Sequence, residues 1–222
     1  LTKIIDIEKA VSLIKSGDTL MVGGFGLVGC PLSLLEKMEE ADLKHLTVIS
    51  NNLGEPGKGL GKLVLQKKVK KGIGSYFTSN PDVVNAYQQN ELEIDLMPQG
   101  TLAESIRAGG AGIGGFYVKT GAGTKMSEGK EVREIKGETY LFQEALQADV
   151  ALIKAKKADR YGNLVYLKSA RNFNPVMATA ASLVIAEVDE IVEPDDLSPE
   201  EIVTPHLYVD YLVVRGGDGN ES

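Results

Sequence analysis

Short apolar runs alternate with amphipathic stretches along most of this chain. Ile7 to Ser16 carries its apolar residues at helical spacing, and Leu20-Met21-Val22 then reads as a strand. Pro31 opens a second periodic stretch, to Ala41, with Leu32, Leu34, Leu35 and Met38 on one face. The β-branched run Leu46-Thr47-Val48-Ile49-Ser50 predicts the next strand. The spacing predicts helices over Gly61 to Val69, from Asn80-Pro81-Asp82 to about Asn90, over Thr101 to Ala108, and over Asn174 to Ala181. Thr101 and Glu104 stand in capping-box spacing at the third of these. Further strands are expected at Gly74 to Phe77, Ile94 to Met97, Tyr140 to Phe142, Val150 to Ile153, Leu164 to Tyr166 and Leu183 to Val188.

This order begins β-α-β and continues in kind, and several of the strands are apolar without alternation. Both features fit strands covered by helices on two faces. The expected fold is α/β, an open, mostly parallel sheet flanked by helices, formed by residues 1–216 as one unit. The polar stretch 125–136 is expected to form an excursion or hairpin, and residues 217–222 a frayed tail.

Glycine changes the picture. Many of the 25 glycines fall in three clusters, Gly23 to Gly29, Gly54 to Gly61 and Gly109 to Gly123, each interrupting an apolar run. Glycine tolerates positive φ and lets another group approach the backbone closely, so the clusters suggest a site built from backbone amides. The other available role is tight turns. The formal net charge of -7 leaves no broad basic footprint for nucleic acid. Lys67, Lys68, Lys70 and Lys71 read as a solvated surface. No apolar run is long enough to span a membrane and no signal peptide is evident, which points to a cytoplasmic protein. One cysteine, Cys30, excludes an intrachain disulfide and reads as a small buried residue.

Candidate chemistry lies where predicted strands end. Gly24-Phe25-Gly26-Leu27-Val28-Gly29 matches a dinucleotide fingerprint in spelling. Pro31 comes too soon after it, however, and Glu40 and Asp42 precede the second strand instead of ending it. Gly54 to Lys62 lacks the hydroxyl of a phosphate loop. Asn51-Asn52 and Pro98-Gln99-Gly100-Thr101 follow strand ends, where carboxamides can donate to a carboxylate or a developing oxyanion. Loop capping is the alternative role for them. The segment Arg107 to Thr124 is long and apolar enough to fold over a ligand, with Phe116 and Tyr117 as a flat wall. Two histidines and one cysteine supply no zinc-ligand spacing, and no Asp/Glu pair or His-centred triad stands out. A glycine-rich scaffold without a nucleophile suggests that a second chain supplies one.

Several ordered motifs resemble the first, or alpha, subunit of the family I coenzyme A-transferases of the short-chain acyl or 3-oxoacid type. They are Gly17-Asp18-Thr19-Leu20-Met21-Val22-Gly23-Gly24-Phe25-Gly26-Leu27-Val28-Gly29-Cys30-Pro31, Asn51-Asn52, and Gly57 to Gly61. Glu93 to Gly112, with Met97-Pro98-Gln99-Gly100-Thr101 and Ala108-Gly109-Gly110-Ala111-Gly112, Ala158 to Leu164, and Asn172-Phe173-Asn174-Pro175 complete the set. The resemblance implies a second, beta-type CoA-transferase subunit, commonly in an α2β2 heterotetramer, and ping-pong movement of coenzyme A from an acyl-CoA to a carboxylic acid. It implies a nucleophilic glutamate on the partner, no metal and no tightly bound cofactor, with the coenzyme A thioester as substrate. Glu104 and Glu144 lack the Glu-Asn-Gly context of that nucleophile. Asn51 and Gln99 are then expected to position acyl or carboxylate oxygens. Gly23, Gly24, Phe25 and Gly26, with Gly109, Gly110, Ala111, Gly112 and Phe116, are expected to shape the acyl pocket. Gly114-Gly115 and Val118 depart from the Pro-Ala and Thr that many relatives carry, and the extra glycine permits a different loop path. Two other readings stay open: a noncatalytic acyl-CoA-binding regulatory subunit, and a sugar-phosphate isomerase-like enzyme with its own acid/base pair and phosphate contacts.

Overall fold

A computed structural model describes residues 3–124 and 127–216. The chain runs α1 (Ile7–Ser12), β1 (Thr19–Val22), α2 (Leu32–Glu40), β2 (Leu46–Ile49), α3 (Leu60–Leu65), β3 (Val69–Gly74), α4 (Pro81–Gln88), β4 (Glu93–Leu96) and α5 (Gln99–Gly110). It continues through β5 (Gly115–Val118), β6 (Val132–Ile135), β7 (Glu138–Glu144), β8 (Ala148–Asp159), β9 (Leu164–Val165), α6 (Asn174–Ala178), β10 (Ala181–Val192) and β11 (Tyr211–Val214). The main sheet has the order β11-β10-β8-β1-β2-β3-β4, all parallel, with β9 pairing antiparallel to β8. This is the expected open α/β sheet.

Strand alternation divides the core. Leu20 and Val22 of β1 join Leu34, Leu35, Met38, Leu63 and Val83 on the face covered by α1 to α4. Met21, between them, joins Leu102, Ile106 and Met177 on the face covered by α5 and α6. Strands buried on both faces need apolar residues at every position, which is why the central ones do not alternate.

Several boundaries differ from the sequence reading, each for a local reason. The third strand is Val69–Gly74, not Gly74 to Phe77, because Val69, Gly72 and Ile73 are buried while Lys70 and Lys71 turn toward β4. There they meet Glu93 and Asp95, each at 3.8 Å. Lys67 pairs with Glu91 at 2.6 Å, and Lys68 donates to the carbonyl of Ala41, so all four lysines have partners within the chain. The capping box is not formed. α5 starts two residues earlier, with Pro98 as its N-cap and its carbonyl accepting from Leu102 N, so Thr101 is already helical. Glu104 instead binds Arg107 through two hydrogen bonds of 2.9 and 2.7 Å.

The segment between α5 and β8 forms a three-stranded antiparallel sheet, β5-β7-β6, to which the expected 125–136 hairpin contributes β6. Successive side chains of a strand point to opposite faces. Phe116 and Tyr117 therefore do not form one flat wall. Tyr117 packs edge-on to Phe142, with ring centroids 5.4 Å apart, and Phe116 lies opposite Gln143. The expected tail, residues 217–222, lies outside the described residues.

Candidate active site at the switch point of the sheet

β1 to β4 march outward from the centre in one direction, and β8, β10 and β11 march in the other. The reversal between β1 and β8 is the topological switch point, where open α/β sheets leave a crevice at the strand carboxyl ends. The loop that begins at Gly23 leaves β1 at this point. Gly23 N still donates to Leu152 O of β8 at 3.0 Å, and the chain then turns sharply through Phe25 to Val28, joined by mutual backbone bonds of 3.0 and 3.3 Å.

Two asparagines hold this loop. Asn172 Oδ1 accepts from Gly24 N at 3.1 Å, and its Nδ2 donates to Val28 O at 3.0 Å, so one side chain grips both sides of the turn. Asn174 Nδ2 donates to Gly29 O at 3.0 Å, while its Oδ1 accepts from Lys154 N of β8 at 2.9 Å. Gly23 sits so close to Asn174 that a Cβ there would lie 1.8 Å from Oδ1, so the clamp requires glycine at this position. Periodicity and composition gave Asn172 and Asn174 no role of their own. The only available signal was their place in an Asn-Phe-Asn-Pro run, with Pro175 in the first turn of α6.

Three further strand ends lie along the same edge. Ser50 N, beyond β2, donates to Ile73 O at 3.0 Å, Ser75 N donates to Asn51 O at 3.0 Å, and Met97 N donates to Gly74 O at 2.8 Å. The ladder thus runs past the strands and aligns Asn51, Ser75 and Gln99 at successive carboxyl ends. Asn51 is buried and its Nδ2 donates to Ser75 Oγ at 2.9 Å. Gln99 is exposed in the first turn of α5, whose opening turn carries no acidic residue. The free amides at that end carry the positive pole of the helix.

The second expected pocket segment has a different setting. Gly109 and Gly110 form the last turn of α5, where a Cβ would lie 1.9 Å from Leu146 O and 2.1 Å from Thr179 Oγ1 respectively. They let α5 cross closely over α6 and the start of β8. Ala111 and Gly112 follow, exposed, with Gly112 at φ +71°. Phe116 is half-buried in β5.

A cavity of about 390 Å³ opens behind the first glycine loop. Leu27, Val28 and Cys30 form one wall, and Lys154, Lys156 and Asp189 form the floor. Lys154 is buried and binds Asp189, which Lys156 also meets at 3.2 Å. Burial works to raise the Asp189 carboxyl, but the two lysines outweigh it and hold it below its ordinary value. Burial, with the nearby Glu187 carboxylate, pushes the Cys30 thiol far up, so it is a poor nucleophile. Among the described residues no group of three or more His, Cys, Asp and Glu could hold a metal ion, and no helix is long and apolar enough to cross a membrane.

Residues 4–215 match the family model for coenzyme A transferase. The chain belongs to the coenzyme A transferase family. Within family I it is of the first-subunit, or alpha, type. It is 49% identical over 207 residues to the first subunit of the probable succinyl-CoA:3-ketoacid coenzyme A transferase of Bacillus subtilis, covering 93% of this chain and 87% of that one. It is 42% identical over 213 residues to the alpha subunit of the acetate CoA-transferase of Escherichia coli, covering 96% and 97%. Its fold matches the acyl-CoA transferase YdiF of Escherichia coli O157:H7, solved as a thioester complex with CoA, with a TM-score of 0.85 at 22% identity. That match covers 96% of this chain but only 50% of the solved one, so the transferase subunit corresponds in length to half of that protein.

Proposed function

We propose that this chain is the alpha subunit of a two-subunit enzyme that moves coenzyme A from a short-chain acyl-CoA or 3-oxoacyl-CoA to a carboxylate. The observation that carries this reading is the composition of the switch-point edge. Asn51 and Gln99 offer hydrogen-bond donors there, beside a glycine loop whose Gly23 and Gly24 amides are taken by Leu152 O and Asn172 Oδ1, whereas the two glutamates weighed as nucleophiles are engaged elsewhere. Glu104 binds Arg107 along the flank of α5, and the guanidinium holds its carboxyl below the ordinary value. Glu144 ends β7 in the small sheet, opposite Gly115.

In this reading a glutamate of the beta subunit attacks the thioester carbonyl. The oxyanion that forms is met by the Gln99 amide and the positive end of α5. Collapse expels coenzyme A as thiolate and leaves an acyl-glutamyl anhydride. The thiolate returns to the glutamyl carbonyl, giving a glutamyl-CoA thioester and releasing the first acid as its carboxylate. The second carboxylate then runs the same steps backward. Asn51, held by Ser75, donates its remaining amide hydrogen to an oxygen of the acyl group or its carboxylate. The loop Gly23 to Gly26 borders the acyl pocket, while Gly109 and Gly110, packed at the amino ends of β8 and β10, lie away from that edge. Metal and nicotinamide have no part in these steps.

Around the loop, Phe25, Val28 and Leu167 leave apolar side chains about half exposed, at 51%, 52% and 45%. An apolar patch beside a crevice suits burial against a second chain, and we assign that place to the beta subunit in a cytoplasmic α2β2 heterotetramer. The test is transfer from acetoacetyl-CoA to acetate, with trapping of the glutamyl-CoA thioester. The intermediate is expected on the beta chain; finding it on this chain overturns the division of labour.

A further inference from the structure

Glu187 is a buried acid that the transfer steps do not use. It lies on β10 at 1% exposure, on the sheet face that α2 covers, and pairs in register with Lys154 of β8 and Val213 of β11. Its Oε2 accepts from Leu34 N at 3.1 Å, across 153 residues of sequence, and Ser33 N lies close to the carboxylate. These are amides of the first turn of α2, which has no cap of its own. Its N-cap is Pro31, which has no side-chain acceptor, and its first turn contains no acid. A helix start needs its free amides satisfied and favours negative charge, and here a strand from across the fold supplies both. Cys30 from the glycine loop, Lys154 from β8 and Arg215 beyond β11 lie around the carboxylate.

The glycine loop runs directly into this helix start. Cys30 N donates to Leu27 O at 3.2 Å, and Leu32 N to Cys30 O at 2.9 Å. The asparagine clamp holds the loop from the β8 side as far as Gly29, and from Cys30 onward the chain is held by the start of α2. We infer that Glu187 is a positioning residue: it anchors the start of α2 and through it sets the place of the Gly23–Gly29 loop in the crevice. The inference rests on the proposed function only for the consequence to turnover; the anchoring itself can be measured without a substrate.

The experiment uses Glu187→Ala in the assembled two-subunit enzyme, with amide hydrogen exchange and steady-state kinetics read together. Exchange is expected to quicken at Ser33, Leu34 and Gly24 to Cys30, while Leu152 and Ala186 in the sheet keep their protection. Turnover is expected to fall by up to about 10²-fold, the order of cost of an ångström-scale misplacement. Adding Pro31→Asp, which supplies a local N-cap, is expected to restore both loop protection and turnover. A role confined to packing or to charge balance with Lys154 would not be rescued from Pro31. Loop exchange unchanged in E187A, or a P31D/E187A double variant that recovers neither property, overturns the inference. If E187A fails to fold, E187M, close in volume and without an oxygen acceptor, takes its place, and unchanged loop exchange there overturns it equally. Lack of transfer by the wild-type complex would count against the proposed function, while the exchange data would still judge the anchoring.

Discussion

Gln99 and Asn51 carry the same carboxamide in opposite settings, and substitution separates them. Gln99 is exposed, so Gln99→Ala is expected to change stability by less than about 0.5 kcal/mol. Loss of one oxyanion donor lowers turnover by about 10²-fold; unchanged turnover in an assembled enzyme would remove Gln99 from the mechanism. Asn51→Ala breaks the bond to Ser75 inside the protein and is expected to cost about 1–2 kcal/mol in thermal or denaturant unfolding as well as activity. Cys30 should resist thiol reagents until the protein unfolds, and C30A should keep its turnover, since burial holds the thiol protonated. Loss of activity in folded C30A would point to cysteine chemistry. Glu187 adds a pH dependence. Burial outweighs its hydrogen bonds and the nearby Lys154 and Arg215, so its folded value lies above the ordinary 4.5. The native state therefore binds its proton more tightly than the unfolded chain, and stability falls as pH rises from 4.5 through the folded value. Denaturant midpoints across that window should fall for wild type and not for E187Q; parallel curves would contradict the assignment.

Among the elements, those with a strong local signal were legible and those defined by distant contacts were not. The run Leu32, Leu34, Leu35 and Met38 behind Pro31 gave α2 to within a residue, and Asn80-Pro81 gave α4 because Asn80 caps it locally through Asp82 N. β3 was misplaced because its lysines look like surface until β4 brings Glu93 and Asp95 beside them. β5 was missed because its pairing with β7 spans a long insertion. At the candidate site, the glycine loop and the two carboxamides could be read as strand-end chemistry. Asn172, Asn174 and Glu187 could not, because their partners lie far away in sequence. The last turn of α5 makes the same point about glycine. Gly109 looked like part of a ligand loop, but it is also where two layers touch. Gly109→Ala should cost about 1–3 kcal/mol by overpacking against Leu146 O, read as a lowered unfolding midpoint. A stability equal to wild type would mean that α5 can move away without cost.

For the molecule as a whole, a parallel sheet with its switch point between β1 and β8 gathers the glycine loop, Asn51 and Gln99 on one edge. In the proposed function that edge holds the substrate and stabilises negative charge, and the attacking carboxylate is assigned to another chain. The most direct test is coenzyme A transfer from acetoacetyl-CoA to acetate, by this chain alone and then mixed with its beta partner. No transfer is expected from the single chain, and transfer is expected from the mixture. Transfer by the single chain would contradict the division of labour, and would return Glu104 and Glu144 to consideration as nucleophiles. A mixture that binds acyl-CoA without exchanging it would contradict it too, in favour of a regulatory role.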